Sequence, residues 1–399
     1  MNTDIDLYTK KKVIKILSRL HEEIKVSFVE ANQTALASSI IKKTPLTNEL
    51  KEVRKSVTAS LSYFPDEIMD HIINEQSTSA KYTFDILRGE TPCTVTLYFV
   101  EFNVIQLNMK VLDTFARRVC AALIMLSKQA ANNKCSSNLI IYVYLTEFKR
   151  TFPLKKDVEL NAEHVNGGLS NHCSLNNELV VYRKEEWFKV LIHELFHAFG
   201  LSFIENEIKE ESATMQKMLK KMYSISHEIK LYESYCEIWA RILNGMFDCY
   251  LMENDKPSEM KITIFIGCVM EKMDENVEFS KMQCCKILNY MDITSEEIMN
   301  PTTRNVELVR NKYLEKTNVF AYYFITYTLL NSFCDFITWC ETNNPVSKDN
   351  KRLMQFRVTP SNLNGFMELL YHCKQNCPKF ETTVDNMSVL GSSMRMTPP

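Results

Sequence analysis

Glycine and proline are scarce in this sequence, with 8 Gly and 11 Pro among 399 residues. So few turn-forming residues argue against an all-β fold with many tight turns, and they favour helices. Neither sign of charge is in excess, because the formal net charge is -2 at pH 7. A chain so close to neutral has no basic excess that would indicate nucleic acid as a partner.

The sequence also lacks a segment typical of membrane insertion or secretion. Its first residues, MNTDIDLYTKKK, do not show the basic and then apolar regions of a secretory signal. The best membrane candidate, residues 320–340, carries Asn331 and Asp335, which indicates a buried helix. We therefore expect an intracellular protein that is not secreted and has no membrane span.

The 13 cysteines are scattered, odd in number and carried by a chain too long for a small disulfide scaffold. This usage is typical of a reducing compartment. The pair Cys284-Cys285 and the group His372, Cys373 and Cys377 contain metal-binding residue types. Neither has the spacing of a zinc finger, so neither is our metal candidate.

What is present is the composition of a globular protein, with 45% hydrophobic and 24% charged residues. Apolar periodicity predicts an α+β fold. A helical region (1–78) comes first, and strands over 82–106 and 139–148 flank a helix at 109–130. After a helix over 184–200 the chain reads as helical up to about 380, and 381–399 is predicted to be a disordered tail. The later helices are predicted at 205–222, 228–250, 259–274, 278–291, 304–315, 318–341 and 361–376.

The strongest chemical signal is VLIHELFHAFG, residues 190–200. His193 and His197 are four residues apart, so on a helix they project from one face and can bind the same zinc ion. Glu194 lies about 100° round the helix, where it can take a proton from water without being a ligand. This is the minimal equipment for hydrolysing a peptide bond.

The flanks of the motif are apolar on every side, which predicts a buried helix. Two histidines and a glutamate inside such a helix need partners, and a zinc ion supplies them. The alternative is that ordinary hydrogen bonds satisfy these side chains and no metal is involved.

A catalytic zinc site needs a third protein ligand and an open fourth position. Phe203 stands where a third histidine would extend the motif. Glu233 and Glu237, in IKLYESYCEIWARILNGMF (229–247), share one helical face among apolar neighbours. Glu233 is our third ligand, with Glu237 as the alternative. An acidic run over 205–211 looks solvent-exposed and ranks lower.

His193-Glu194-x-x-His197 followed by Glu233-x-x-x-Glu237 resembles the gluzincin family of zinc metallopeptidases. The resemblance implies a zincin-like catalytic domain with two lobes. The first lobe (79–203) has a small mixed sheet, a backing helix and the active-site helix, and the second (204–380) is all helical. The resemblance also implies zinc as cofactor, Glu233 as ligand and Glu237 orienting a ligand histidine. Aspartate is usual where this chain has Glu237.

The family further uses a side chain of the second lobe to stabilise the oxyanion, for which the candidates are Tyr322, Tyr323 and His372. It also implies an edge strand over 163–170 that a peptide substrate joins, with Gly167 and Gly168 permitting close approach. A simple loop is the alternative there. His164, His172 and His227 receive no role.

The wider strings RKEEWFKVLIHELFHAFGLSF (183–203) and YESYCEIWA (232–240) resemble uncharacterised metalloproteinases of large nucleocytoplasmic DNA viruses. That resemblance implies a location in host cytoplasm or in the virion, and a peptide or protein as substrate. The hypothesis is therefore a zinc metallopeptidase with Glu194 as general base. A catalytically silent zincin-fold protein, serving as a viral structural or interaction component, is the alternative, and a metal-free helical scaffold is a third.

Overall fold

The computed structural model describes residues 7–55, 64–89, 91–156, 158–204, 208–252, 261–345, 352–378 and 391–399. Over these ranges the fold is α+β, as predicted, with fourteen α-helices, one π-helix and one six-stranded mixed sheet. The chain forms two compact units. The sheet unit comprises Leu20–Arg150 and Asn166–Leu201, and the helical unit comprises Met1–Arg19, Thr151–Val165 and Ser202–Pro399.

The six strands lie in the order β1-β2-β3-β4-β6-β5. The pairs β1–β2, β2–β3 and β5–β6 are antiparallel, whereas β3–β4 and β4–β6 are parallel. The short strand β5 is therefore one edge of the sheet and β1 is the other. The strands are β1 (Ala37–Ile41), β2 (Ser77–Arg88), β3 (Thr91–Phe102), β4 (Asn138–Tyr144), β5 (Gly168–Ser170) and β6 (Asn176–Val181).

Both faces of this sheet are covered, because successive strand residues point to opposite sides. On one side Phe99 contacts Phe115 and Trp187 of the helices α4 (Met109–Gln129) and α6 (Trp187–Ala198). On the other side Val100 packs with residues of α2 (Asn48–Lys55) and α3 (Asp66–Asn74) in one core cluster. The first helix of the chain is α1 (Leu7–Gln33).

The helical unit is organised around α8 (Leu231–Met252), which is buried along most of its length. It packs against α9 (Lys261–Tyr290), the π-helix (Phe320–Ile325) and α12 (Thr326–Asn331). A helix that is apolar on every side needs such a surround. The unit also contains α5 (Ala162–Val165), α7 (Lys209–Met222), α10 (Ser295–Met299), α11 (Thr303–Lys312), α13 (Phe333–Asn343) and α14 (Pro360–Gln375).

Four features differ from the sequence prediction. The helix predicted over 318–341 is divided into the π-helix, α12 and α13. The N-terminal region expected to be helical contains β1 and the start of β2. The helices predicted at 259–274 and 278–291 are the single helix α9. Of the predicted disordered tail, 381–390 lies outside the described residues, while 391–399 packs in the helical unit with Met394 and Met396 buried. The tail was predicted from its terminal position, which does not reveal these two buried methionines.

Two disulfides, Cys135–Cys173 and Cys249–Cys268, join cysteines that the sequence did not pair. The paired cysteines are 38 and 19 residues apart in the sequence, and neither spacing indicates a disulfide.

Among the helices that the structure describes, none combines the length and apolar character required to cross a bilayer.

Candidate metal centre

The helix that carries the motif, α6, has specific contacts at both of its ends. At its start Glu186 adopts a left-handed backbone conformation and forms a buried ion pair with Arg150. At its end Gly200 has φ +64°. The Gly200 amide donates to the carbonyl of His197 at 2.9 Å, and the Leu201 amide donates to that of Phe196 at 2.9 Å. This is a Schellman motif, so the predicted helix end at Gly200 is confirmed.

The two histidines of the motif meet on one face of α6. Their Nε2 atoms lie 3.2 Å apart. Two ligands of a tetrahedral zinc ion, each about 2.05 Å from it, lie about 3.3 Å apart. The His193 side chain is 6% exposed and His197 is partly buried. Their spacing therefore suits two nitrogen ligands of one metal ion.

Glu194, which lies between them in sequence, is 7% exposed and contacts strand β5. The Ser170 hydroxyl of β5 donates to Glu194 Oε2 at 2.8 Å and lies 3.1 Å from the Glu194 carbonyl oxygen. A carboxylate buried this deeply requires such a donor. Ser170 had no sequence signal, because nothing in the motif indicates which strand residue faces the glutamate.

Glu233 lies in the first turn of α8 and is 9% exposed. Asn318 Nδ2 donates to its Oε1 at 3.3 Å, and the Tyr322 hydroxyl donates to its Oε2 at 3.2 Å. One ligand atom each from His193, His197 and Glu233 lies within 4.8 Å of the other two. Two imidazole nitrogens and one carboxylate oxygen at these separations are close enough to hold a metal ion.

Glu237 lies one turn further along α8, and a buried arginine is its partner there. Arg241 Nε donates to Glu237 Oε1 at 2.8 Å, and both side chains are 1% exposed. The same guanidinium donates to Ser280 Oγ at 2.6 Å and to the carbonyl of Tyr322 at 3.0 Å. Glu237 is not in the group of three residues that could hold a metal. Its predicted role of orienting a ligand histidine stays a prediction.

The two tyrosines predicted as oxyanion candidates have different surroundings. Tyr322 bonds to Glu233, whereas the buried hydroxyl of Tyr323 donates to the carbonyl of Met394 at 2.6 Å. Both belong to the π-helix, whose i to i+5 pattern is frequent at functional sites. Only Tyr322 is thus placed with the candidate ligands. His372 is exposed and pairs with Asn376.

The two glycines predicted to admit a substrate strand are required by packing inside the sheet unit. A Cβ on Gly168 would lie 2.6 Å from the carbonyl oxygen of Val180 and 3.1 Å from Glu194 Cγ. One on Gly167 would overlap the guanidinium of the buried Arg150. Of the edge strand predicted over 163–170, only 168–170 is a strand, β5, because 163–165 belongs to the helix α5. Substrate binding by these glycines stays a prediction.

The remaining histidines and cysteines do not add a second metal group within the described ranges. His172, in the turn after β5, has its pKa lowered to about 4 by burial and by the neighbouring His197. His164 Nδ1 accepts from the amide of Asn161, and His227 pairs with Glu315. Burial raises the pKa of the Cys373 thiol to about 12 and that of Cys377 to about 11, which disfavours the thiolate that a metal requires.

Comparison with protein-family models, with curated proteins and with solved structures finds no match to this chain. What is known of the site is therefore its donor set and the side chains that surround it.

Proposed function

We propose that this protein is a zinc-dependent metallopeptidase. The observation that carries the proposal is the group of His193, His197 and Glu233, whose ligand atoms lie within 4.8 Å of one another. Two histidines and one glutamate, with the fourth position left for water or substrate, are a donor set typical of catalytic zinc. Glu194, next to the first ligand in sequence, supplies the general base that the reaction needs.

The metal ligands and Glu194 would have different parts in peptide-bond hydrolysis. Zinc held by the three side chains would supply a Lewis acid that activates water and polarises the substrate carbonyl. Glu194 accepts the proton that the attacking water loses as its oxygen bonds to the carbonyl carbon. The same carboxyl donates that proton to the amine nitrogen as the C–N bond breaks, which leaves a carboxylic acid and an amine.

Tyr322 is the proposed donor to the developing oxyanion. Its hydroxyl already lies beside the candidate metal ligand Glu233, at 3.2 Å. A phenol in this position can donate to a carbonyl oxygen as negative charge accumulates there. Tyr323 is not proposed for this role, because its hydroxyl donates to a main-chain carbonyl of the C-terminal segment.

The finer assignment of the fold, a zincin-like catalytic domain of the gluzincin type, belongs to the same proposal. Its support is the order of elements, with a mixed sheet and its helices first, the motif helix next and a helical region after it. Further support is the placement of Glu233 in α8, the second helix after the motif helix. Analogy of fold does not establish a reaction, so the chemistry must be measured on the residues themselves.

The test combines metal content with hydrolysis in four proteins purified without a metal-binding tag. The parent should carry about one zinc per chain and cleave peptides from a quenched-fluorescence library. Glu194→Gln should keep the zinc and lose cleavage, since its amide cannot accept a proton. Glu233→Ala should lose most of the zinc, while Glu237→Gln, the matched acid on the same helix face, should retain it.

Each outcome has a distinct meaning. Cleavage by Glu194→Gln at the parent's rate would remove the general base from the proposal. Zinc retained in Glu233→Ala but lost in Glu237→Gln would move the third ligand to Glu237. Zinc bound by a parent that cleaves no library member would favour the catalytically silent protein, and a folded parent without zinc would refute the metal site.

A further inference from the structure

Strand β5 presents two side-chain positions to Glu194. Residues two apart in a strand point to the same face, and Gly168 and Ser170 are so related. At Gly168 a Cβ would lie 3.1 Å from Glu194 Cγ and 2.8 Å from Val190 Cγ1. At Ser170 the hydroxyl lies 2.8 Å from Glu194 Oε2. The glycine therefore makes room for the aliphatic part of Glu194, and the serine binds its carboxylate.

The serine is the donor in this contact. A hydroxyl has one hydrogen to give, and the carboxylate oxygen is nearer than the Glu194 carbonyl oxygen, 2.8 Å against 3.1 Å. Hydrogen bonds to an ionised acceptor are also the stronger kind. The carboxylate is thus favoured over the carbonyl as the partner of Ser170.

The strand itself is held firmly enough to define where Ser170 stands. It pairs with β6 through Gly168, Leu169 and Ser170. Directly after it, Asn171 is locked to Asn177, whose Oδ1 accepts the Asn171 amide at 3.2 Å and whose Nδ2 donates to the Asn171 carbonyl at 2.7 Å. A donor on a strand fixed at both ends limits the orientations open to the carboxylate it binds.

We infer that Ser170 is a positioning residue that holds the Glu194 carboxylate in the orientation from which it takes a proton. This inference rests on the proposed function, because it assigns the support of the proposed general base. A general base is effective only within hydrogen-bond reach of the proton it removes, and an error of about 1 Å can cost about 100-fold in rate. A glutamate side chain has three rotatable bonds, so burial alone does not select one orientation.

The experiment compares Ser170→Ala with Ser170→Thr, which keeps the hydroxyl. Ser174→Ala, in the turn that follows, is the matched control because it removes a serine hydroxyl that bonds only locally, to the carbonyl of Asn176 at 2.9 Å. For each variant we would measure zinc per chain, the urea midpoint, kcat and KM on the best library peptide. Zinc content and the urea midpoint establish that the site and the fold are intact.

A positioning role predicts that Ser170→Ala lowers kcat about tenfold or more, with zinc content and KM unchanged. Ser170→Thr and Ser174→Ala should stay within about threefold of the parent. A Ser170→Ala protein with normal kcat would overturn the inference. So would a loss that appears in KM or zinc content and not in kcat, or a loss that threonine does not restore.

The two proposals fail in distinguishable ways. If the parent cleaves and Glu194→Gln does not, a normal kcat in Ser170→Ala overturns only the role of Ser170. If the zinc-loaded parent cleaves no peptide, the proposed function fails first and the assignment of Ser170 fails with it.

Discussion

Replacing Arg241 by methionine should damage the helical unit more than any exposed substitution could. The arginine and its partner Glu237 are each 1% exposed, with Nε and Oε1 2.8 Å apart. The side chain also donates to Ser280 Oγ at 2.6 Å and to the carbonyl of Tyr322 at 3.0 Å. Methionine approximates its length but removes the charge and all three donors.

The expected loss follows from what stays buried. Removing one partner of a buried ion pair costs about 3–5 kcal/mol, because the remaining charge loses its compensation. Ser280→Ala removes only one acceptor of the same guanidinium and should cost about 1–2 kcal/mol. The double variant Glu237→Gln, Arg241→Met leaves no buried charge of the pair, so it should be less destabilised than the sum of its single variants.

Urea unfolding would measure these losses, followed by tryptophan fluorescence and by far-UV circular dichroism. Trp239 lies on α8 with the ion pair and is fully buried, so it reports on the affected helix. With two units in the chain, a single transition must be shown by coincidence of the two signals before a free energy is assigned. A loss below about 1 kcal/mol in Arg241→Met would refute the buried pair, as would strictly additive single variants.

Three further predictions concern the neighbourhood of the site. Tyr322→Phe removes a donor to Glu233 and should weaken zinc affinity about 10–100-fold, as measured by competition with a chelator. Tyr323→Phe should leave the zinc affinity unchanged. Cys173→Ser opens a disulfide of sequence separation 38 and should lower the free energy of unfolding, measured in urea, by about 4 kcal/mol. The variant and the parent should be equally stable in the presence of a reductant. Burial lowers the pKa of His172 to about 4, below its ordinary 6.5, so stability of the metal-free protein should be complete above pH 6.5 and fall as the pH drops towards 4. His172→Asn should reduce the difference in the free energy of unfolding between pH 7 and pH 5, measured in urea. An unchanged difference would show that His172 does not cause the loss of stability.

Elements with strong local patterns were predictable from the sequence. The helix α4 was expected at 109–130 and spans Met109–Gln129, and α6 was expected within 184–200 and spans Trp187–Ala198. Their apolar periodicity and, for α6, the terminal glycine act within one segment of chain.

The prediction was less accurate for α9 and β5. Two helices were predicted over 259–274 and 278–291, but Asn276 Nδ2 donates to the carbonyl of Lys272 at 2.8 Å and the helix α9 continues. Strand β5 is three residues long and exists through its pairing with β6.

The same distinction separates the candidate ligands from the residues that support them. His193 and His197 could be paired because four residues on a helix bring two side chains together. The contacts of Ser170 with Glu194 and of Tyr322 with Glu233 span 24 and 89 residues. No spacing rule covers such distances. A contact of the same kind joins α8 to the π-helix, where the Ser234 hydroxyl donates to the carbonyl of Ala321 at 2.9 Å. A motif can therefore nominate the atoms that bind a metal, but the orientation of those atoms depends on contacts that only the folded chain reveals.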